Sequence, residues 1–269
     1  MAAANNDMNR RFWSVERGLS AVVGTAIHDG HATRDDVLPL MALSDEERLR
    51  EEDPFTAEMI AGLANQIVVH QSRFEIDLNR ARNQAIYLVP EQSWGLDVWI
   101  KRPPEPVLHG SLAFHDDYYA MLRQMLAAIE QRHGAFIVLD VHSYNHRRGG
   151  ADASPTEQHK APDINIGTSS MDRGRWADVV DTVIDHFSHA SIGGRRLDVR
   201  ENVAFQGKGE QTRFIHEHFP KNGCAIAIEF KKIFMDEWTG QPDTDVIQDI
   251  RDSITALEPV LEELLRTRQ

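Results

Sequence analysis

The sequence has little cysteine and no long apolar run. Its 269 residues contain a single cysteine, Cys224, so no disulfide can form within the chain. It has no stretch of about 18 consecutive apolar residues, the length that indicates a transmembrane helix. The N-terminal residues contain no apolar segment of the kind found in secretory signals. We therefore predict a cytoplasmic protein, with no membrane partner and with a buried, inert thiol at Cys224.

Basic residues are fewer than acidic ones. The chain has 29 Lys and Arg residues against 42 Asp and Glu residues, which gives a net charge of −13. Proteins bind nucleic acids and anionic membranes mainly through Lys and Arg, so this balance argues against both as partners. A content of 41% apolar and 26% charged residues is typical of a globular protein, and the length is compatible with one α/β domain. The sequence leaves the oligomeric state open.

The strongest structural signal is the segment 135–144, which has the sequence AFIVLDVHSY. A short continuous apolar run is typical of a strand that is buried on both faces. This run ends in polar groups, among them Asp140 and His142. Because ligands of open α/β sheets bind at the carboxyl ends of the strands, the segment predicts a functional site at this end.

Other predicted strands also end in reactive side chains. Residues 21–27 lead into His28, and residues 224–230 contain Glu229 near their carboxyl end. Residues 74–78 alternate apolar and acidic side chains, which predicts a half-buried strand that ends in Asn79 and Arg80. If these strands are parallel, their reactive side chains lie at one edge of the sheet.

The periodicity elsewhere predicts helices between the strands. Residues 112–131 have an amphipathic helical pattern, and residues 82–111 are predicted to be irregular because they contain several prolines. Residues 1–20 are predicted to form a flexible N-terminal lead-in. The predicted fold is thus a single α/β domain at residues 21–269, with a mixed, mostly parallel central sheet and helices on both faces.

The reactive residues suit metal-assisted hydrolysis. A catalytic zinc ion takes three protein ligands from His and carboxylate side chains and keeps one position for water. The ion lowers the pKa of that water, and a nearby glutamate such as Glu229 can accept its proton. A guanidinium such as that of Arg80 can bind a substrate carboxylate through two parallel hydrogen bonds.

Seven short motifs, in this order, resemble the N-formylglutamate amidohydrolase family. They are AIHDG, EEDPFT, FEIDLNR, VLDVHSY, NIGT, FQGKG with the following TR, and AIAIEFKKIFM. The resemblance extends from about residue 21 to residue 236. It implies an α/β fold similar to that of the zinc carboxypeptidases and aspartoacylases. It also implies hydrolysis of an amide that lies beside a carboxylate.

The resemblance implies a set of metal ligands. His28 matches the histidine of the family pattern PHxG, although Ile27 replaces the proline. Asp53 matches the acidic residue of the pattern (T/E)D, and His142 matches the histidine of DxHS. Zinc carboxypeptidases use an HxxE pair, and here the fourth position is His31. The second ligand therefore stays open between Asp53, Glu52 and His31, with Asp53 favoured.

The resemblance also implies catalytic and substrate-binding residues. Glu229 matches the glutamate that acts as general base. Asn79 and Arg80 match the pattern DLNR, which is expected to bind the substrate carboxylate. Arg213 aligns with an arginine that would hold a second carboxylate or polarise the scissile carbonyl.

We therefore expect an amidohydrolase with one zinc ion per chain and a small substrate, an N-acyl amino acid with a free carboxylate. Two alternatives stay open. A peptidase of the carboxypeptidase type would be favoured by an open groove around residues 82–111. A protein that keeps the fold but only binds a ligand would be favoured by loss of a metal ligand.

Overall fold

A computed structural model describes residues 12–268, and this part of the chain contains nine β-strands and six α-helices. The strands are β1 (Trp13–Glu16), β2 (Val22–Ala26), β3 (Gln66–Val69), β4 (Phe136–Tyr144), β5 (Ile164–Gly167), β6 (Ser191–Ile192), β7 (Arg195–Arg196), β8 (Val199–Glu201) and β9 (Gly223–Lys231). The helices are α1 (Asp45–Glu51), α2 (Thr56–Ile60), α3 (Glu105–His133), α4 (Ala177–His189), α5 (Glu210–His218) and α6 (Thr244–Thr267).

Seven of the strands form one sheet in the order β1-β3-β2-β4-β9-β5-β8. The central neighbours β3, β2, β4 and β9 are all parallel, and β5 is parallel to β8. The pairs β1–β3 and β5–β9 are antiparallel. The predicted mixed, mostly parallel sheet is therefore confirmed. The short strands β6 and β7 pair only with each other.

Helices cover both faces of this sheet, as predicted. Along β4, Ile137 and Leu139 pack into a core with α2, α4 and α6. Their neighbours Phe136 and Val138 pack on the other face, against α3 and α5. Because successive side chains of a strand point to opposite faces, both faces of β4 must be apolar, and this explains its unbroken apolar run.

Helix α3 begins earlier than the predicted range 112–131. Pro104 is its N-cap residue, and Pro106 lies within its first turn. Proline is tolerated there because the first backbone N–H groups of a helix have no partner within the helix. Pro104 and Pro106 therefore belong to the start of α3 and not to the irregular segment that precedes it. Among the helices within residues 12–268, none combines the length and apolar character needed to span a membrane.

The segment 74–78 does not form a strand, and this prediction was wrong. The alternation predicted a solvent-exposed acidic face, but Glu75 and Asp77 are 1% and 0% exposed. Glu75 accepts a 2.6 Å hydrogen bond from Arg34 Nε, and the backbone N–H of Asp77 donates to the carbonyl of Ala85. Because both acids have protein partners, the chain turns into the interior instead of extending along the sheet.

The N-terminal lead-in differs from its prediction where the structure describes it. Strand β1 pairs with β3, and Trp13 is 5% exposed and packs on Phe114 with ring centroids 5.2 Å apart. This buried indole attaches the segment to the domain, so a flexible lead-in over residues 1–20 is wrong for β1. Residues 1–11 lie outside the described residues. The domain boundaries 21–269 stay a prediction.

Replacing Leu139 by alanine tests how much the packing of β4 against the helices contributes to stability. Leu139 is fully buried in the middle of β4, so the shorter side chain leaves a cavity between the sheet and its helices. We expect the free energy of unfolding, measured by urea denaturation, to fall by about 2–5 kcal/mol. Leu19→Ala is the control, because Leu19 is 78% exposed and its loss should change stability by less than about 0.5 kcal/mol. Equal effects of the two variants would contradict this role of β4.

Candidate functional site

Three parallel strands bring reactive side chains to one edge of the sheet. On β4, Asp140 and His142 lie on the same face as Val138, because side chains alternate along a strand. In the register between β4 and β9, His142 is the direct neighbour of Glu229. His28 lies two residues after the end of β2. The predicted convergence at the carboxyl ends is therefore confirmed for His28, His142 and Glu229.

Two histidines and one carboxylate form a buried cluster at this edge. Asp53 Oδ2 lies 3.3 Å from His28 Nδ1 and 3.0 Å from His142 Nδ1. One ligand atom from each of the three side chains lies within 4.8 Å of the others. All three residues are buried. This group can therefore direct three nitrogen and oxygen ligands at a single ion.

The second ring nitrogen of each histidine faces another carboxylate. His28 Nε2 lies 2.8 Å from Asp77 Oδ1, and His142 Nε2 lies 3.1 Å from Asp140 Oδ2, the latter at an angle outside hydrogen-bond geometry. If His28 Nε2 carries the proton, its Nδ1 keeps a lone pair. That Nδ1 atom is buried and has no hydrogen-bond partner among the described residues. Metal-binding histidines commonly have such carboxylate partners, so the donor set fits a divalent metal ion.

Asp77 is itself held in place by several donors. Its Oδ2 accepts a 2.9 Å hydrogen bond from Arg73 Nη2 and a further bond from the Tyr87 hydroxyl. The backbone N–H of Asn79 donates to its Oδ1 at 2.7 Å. Burial alone would raise the pKa of Asp77, but the charges of Arg73 and His28 keep it well below its usual range. Asp77 is therefore an anion that fixes the ring orientation of His28.

Asp140 lies beside His142 as Asp77 lies beside His28. Its Oδ1 accepts hydrogen bonds from Thr25 Oγ1 at 2.8 Å and Gln211 Nε2 at 2.6 Å. The sequence did not predict that Asp77 and Asp140 orient the two histidines. For Asp140 there was a usable signal, because it lies within the apolar run 135–144, which was predicted to be buried on both faces.

The position of Asp53 depends on the end of α1. Its backbone N–H donates to the carbonyl of His28 at 2.9 Å, which places the two residues side by side. Burial would raise the pKa of the Asp53 carboxyl, but the hydrogen bond from His142 and the neighbouring charge of His28 outweigh burial and lower it. Asp53 is therefore an ionised carboxylate between two imidazoles.

The other two candidates for the second ligand point elsewhere. His31 Nδ1 lies 2.6 Å from Glu52 Oε2, so these two side chains pair with each other. Glu52 also accepts a hydrogen bond from the Ser72 hydroxyl, and His31 Nε2 contacts Arg48. The geometry thus favours Asp53 over both alternatives.

Glu229 differs from Asp53 in its surroundings. It is 9% exposed, and its carboxylate accepts no hydrogen bond from the described residues. Burial raises its pKa to about 7, although the charge of His142 opposes this shift. A carboxyl group with this pKa can both accept and release a proton near neutral pH. The site therefore contains one permanently ionised carboxylate and one that is suited to proton transfer.

These side chains open into a cavity of about 280 Å³ that is lined by many basic groups. The volume suits a small molecule rather than a polymer. The lining includes five cationic side chains and four carboxylates, whereas acids outnumber cations over the chain as a whole. The cations are Arg73, Arg80, Arg148, Lys208 and Lys232, and the acids are Glu51, Asp53, Asp140 and Glu229.

Asn79 and Arg80 lie on this cavity, as predicted. Arg80 is half exposed, and its nearest carboxylate is Asp77, with Nε and Oδ2 3.9 Å apart. Asn79 Oδ1 is buried and has no hydrogen-bond partner among the described residues. A Cβ atom at Gly209 would lie 1.9 Å from this oxygen, so only glycine allows the loop to approach Asn79.

Arg213 is not among the residues that line the cavity, and its predicted contact with the substrate stays a prediction. It lies on α5 and faces two acids of the same helix, Glu210 at 3.4 Å and Glu217 at 3.9 Å. Its neighbour Thr212 does line the cavity. Successive residues of a helix are rotated by about 100°, so the two side chains cannot share one direction. Lys208, just before α5, lines the cavity instead.

Solved structures support this fold. The N-formylglutamate amidohydrolase from Ralstonia eutropha JMP134 matches with a TM-score of 0.74 at 17% identity, over 96% of this chain and 99% of that chain. A gene product from Agrobacterium tumefaciens matches with a TM-score of 0.61 at 17% identity, over 97% and 94% of the two chains. A metallo-carboxypeptidase from Pseudomonas aeruginosa gives only 0.37, too low to support a conclusion.

A search of curated proteins finds no match to this sequence. The sequence model of the N-formylglutamate amidohydrolase family, in contrast, matches residues 20–235. This range includes the whole cluster of His28, Asp53 and His142, together with Glu229 and the cavity residues described above. The match extends over most of the chain, and the chain therefore belongs to the N-formylglutamate amidohydrolase family.

Proposed function

We propose that this protein is a metal-dependent hydrolase that cleaves the amide bond of an N-acyl amino acid. The observation that carries this proposal is the buried group of His28, Asp53 and His142 beside Glu229, in a small cavity lined by cations. Family membership supports the hydrolysis of a small-molecule amide. Zinc, the substrate and the role of each residue are the parts that we infer.

The three side chains of the cluster would hold one zinc ion per chain. Two imidazoles and a carboxylate are the kind of ligand set that catalytic zinc sites use. When bound, such an ion supplies Lewis-acid chemistry, which lowers the pKa of a water molecule and polarises a carbonyl oxygen. Asp77 and Asp140 orient the two histidines toward this centre.

Glu229 moves the proton in this proposal. Its carboxylate accepts a proton from the water that attacks the amide carbonyl, and it then passes this proton to the nitrogen of the leaving amine. The absence of hydrogen bonds to Glu229 from the described residues leaves both carboxylate oxygens available for this transfer. The pairing of β4 with β9 places Glu229 directly beside His142, one of the three proposed metal ligands.

The substrate carboxylate would bind to Arg80, with Asn79 beside it. Arg80 has donors to spare, because its closest acid, Asp77, already has stronger partners in Arg73 and His28. A planar guanidinium can bind a carboxylate through two hydrogen bonds. The substrate class is thus an N-acyl amino acid with a free carboxylate.

The predicted cytoplasmic location and the predicted absence of a nucleic-acid partner rest on composition alone and stay predictions.

A peptidase of the carboxypeptidase type is the second candidate. A groove lies beside the cavity and shares Trp94 and Arg148 with it, and it extends to Arg50 and Trp238. Trp94 comes from the segment 82–111, where an open groove was expected for a peptidase. Hydrolysis of peptides at a higher rate than N-acyl amino acids would favour this candidate.

Metal analysis tests the proposed centre. We expect purified wild type to contain about one zinc ion per chain, and His142→Ala to lose it, because the substitution removes one of three ligands. His186→Ala is the control, since His186 contacts the Ser253 carbonyl on α6 rather than the cluster. Elemental analysis after incubation with zinc gives the content. Wild type without bound zinc would contradict the metal centre and favour the ligand-binding alternative.

Glu229→Gln tests the proton transfer. The amide cannot accept a proton, so we expect turnover of an N-acyl amino acid to fall by about 10²- to 10⁴-fold. Zinc content and melting temperature should stay close to wild type, because the Glu229 carboxylate accepts no hydrogen bond from the described residues. Glu217→Gln, on the exposed part of α5, should leave turnover intact. Unchanged turnover in Glu229→Gln would remove this residue from the mechanism.

Lys208→Ala tests which residue binds a second substrate carboxylate. Lys208 lines the cavity and has no ion pair within residues 12–268, whereas Arg213 is outside the lining and pairs with Glu210. We expect Lys208→Ala to lower kcat/KM for an N-acylglutamate about 10- to 100-fold, as loss of a charged hydrogen bond would. The N-acylglutamine with a neutral side chain should be affected much less. Arg213→Ala should not change the ratio of the two substrates, and the opposite pattern would restore Arg213 to the site.

A further inference from the structure

Lys232 is a buried cation that the mechanism above does not use. It follows directly after β9, is 2% exposed and lines the cavity near Asp53 and Glu229. Lysine is rarely buried to this extent unless it is paired with an acid. In the part of the chain that the structure describes, no carboxylate lies within ion-pairing distance of its ammonium group. Its burial therefore needs another reason.

The partners of Lys232 are two backbone carbonyls. Nζ donates to the carbonyl oxygen of Arg50 at 2.6 Å and to that of Glu52 at 2.8 Å. Both carbonyls lie at the end of α1, where the last carbonyl groups of a helix have no partner within it. A cation at this end also interacts favourably with the partial negative charge of the helix terminus. Lys232 therefore holds the segment that leads directly into Asp53.

The neighbouring backbone is attached in the same way. Asn145 Nδ2 donates to the carbonyl of Arg50 at 2.8 Å, and the backbone N–H of Lys232 donates to the carbonyl of Tyr144 at 3.0 Å. Lys232 thus connects the ends of β4 and β9, which carry His142 and Glu229, to the chain that carries Asp53. Among the residues described above, Lys232 alone makes contacts with all three of these parts, through its backbone N–H and its ammonium group together.

We propose that Lys232 is a positioning residue that sets the distance between Asp53 and the two histidines, and that metal affinity depends on it. This inference rests on the metal centre of the proposed function. Residues that orient metal ligands typically change metal affinity about 10- to 100-fold when they are replaced. A merely structural lysine would change stability without this specific loss.

The adjacent Lys231 provides a matched control. It is also buried, at 5% exposed, and lies at the end of the same strand. Its Nζ lies 2.7 Å from Asp163 Oδ1 and donates to Gln158 and Ala161, on the side away from the cluster. Lys231→Met therefore removes a buried ammonium group of the same type without touching the segment before Asp53.

The experiment measures the zinc dissociation constant of the metal-free protein by competition with a chromophoric chelator, together with its melting temperature. We expect Lys232→Met to weaken zinc binding at least 10-fold, since replacing a residue that orients metal ligands typically costs about 10- to 100-fold in affinity. Lys231→Met should lower the melting temperature but keep the dissociation constant. Lys232→Gln, which retains an N–H donor, should give an intermediate constant.

Each other outcome overturns the inference. Zinc binding by Lys232→Met at wild-type strength, or an equal loss in Lys231→Met, would show that the lysine does not position Asp53. If Lys232→Met does not fold, the comparison of Lys232→Gln with Lys231→Met decides, and equal constants overturn the inference. Wild type that binds no zinc would overturn the metal centre as well, which separates failure of the proposed function from failure of this inference alone.

Discussion

The register between β4 and β9 is the constraint on which the site depends. The two strands pair over nine residues, from Phe136 with Gly223 to Tyr144 with Lys231. Because side chains alternate along a strand, a shift by one residue would turn Glu229 to the opposite face from His142. The apolar residues prevent this shift, since it would also move Ile226 and Ile228 out of their core. Core packing therefore determines the distance between the two reactive groups.

Burial then gives the acids of the site different properties. Asp53 and Asp77 receive hydrogen bonds and positive charge, which repay the cost of removing a carboxylate from water. Glu229 is buried to a similar extent without such bonds, and its pKa rises to about 7. Carboxyl side chains thus serve in two ways at this site: two are permanent anions beside the histidines, and one can exchange a proton. The surrounding donors, rather than the carboxyl groups themselves, make this difference.

The sequence predicted the parts of this arrangement that depend on periodicity. Unbroken apolar runs identified β4 and β9, and the residues at their ends identified His142 and Glu229. The segment around Asp77 was misjudged, because alternation shows which residues differ in polarity but not whether the polar ones reach solvent. Its acids face buried donors from distant parts of the chain, such as Arg34 and His28. The direction in which the Arg213 side chain points depends on the residue at which α5 begins, and a motif match does not specify where a helix begins.

Cationic side chains are more concentrated around the cavity than over the chain as a whole. The net charge of −13 disfavours nucleic acid as a partner, yet the cavity is lined by Arg80, Lys208 and other cations. Charges separated by more than about 8 Å are largely screened at physiological ionic strength, so a small anion in the cavity responds mainly to the nearby cations. Partially enclosed walls strengthen this local attraction further. An acidic chain can therefore select an anionic substrate, provided that its basic residues are concentrated where the substrate binds.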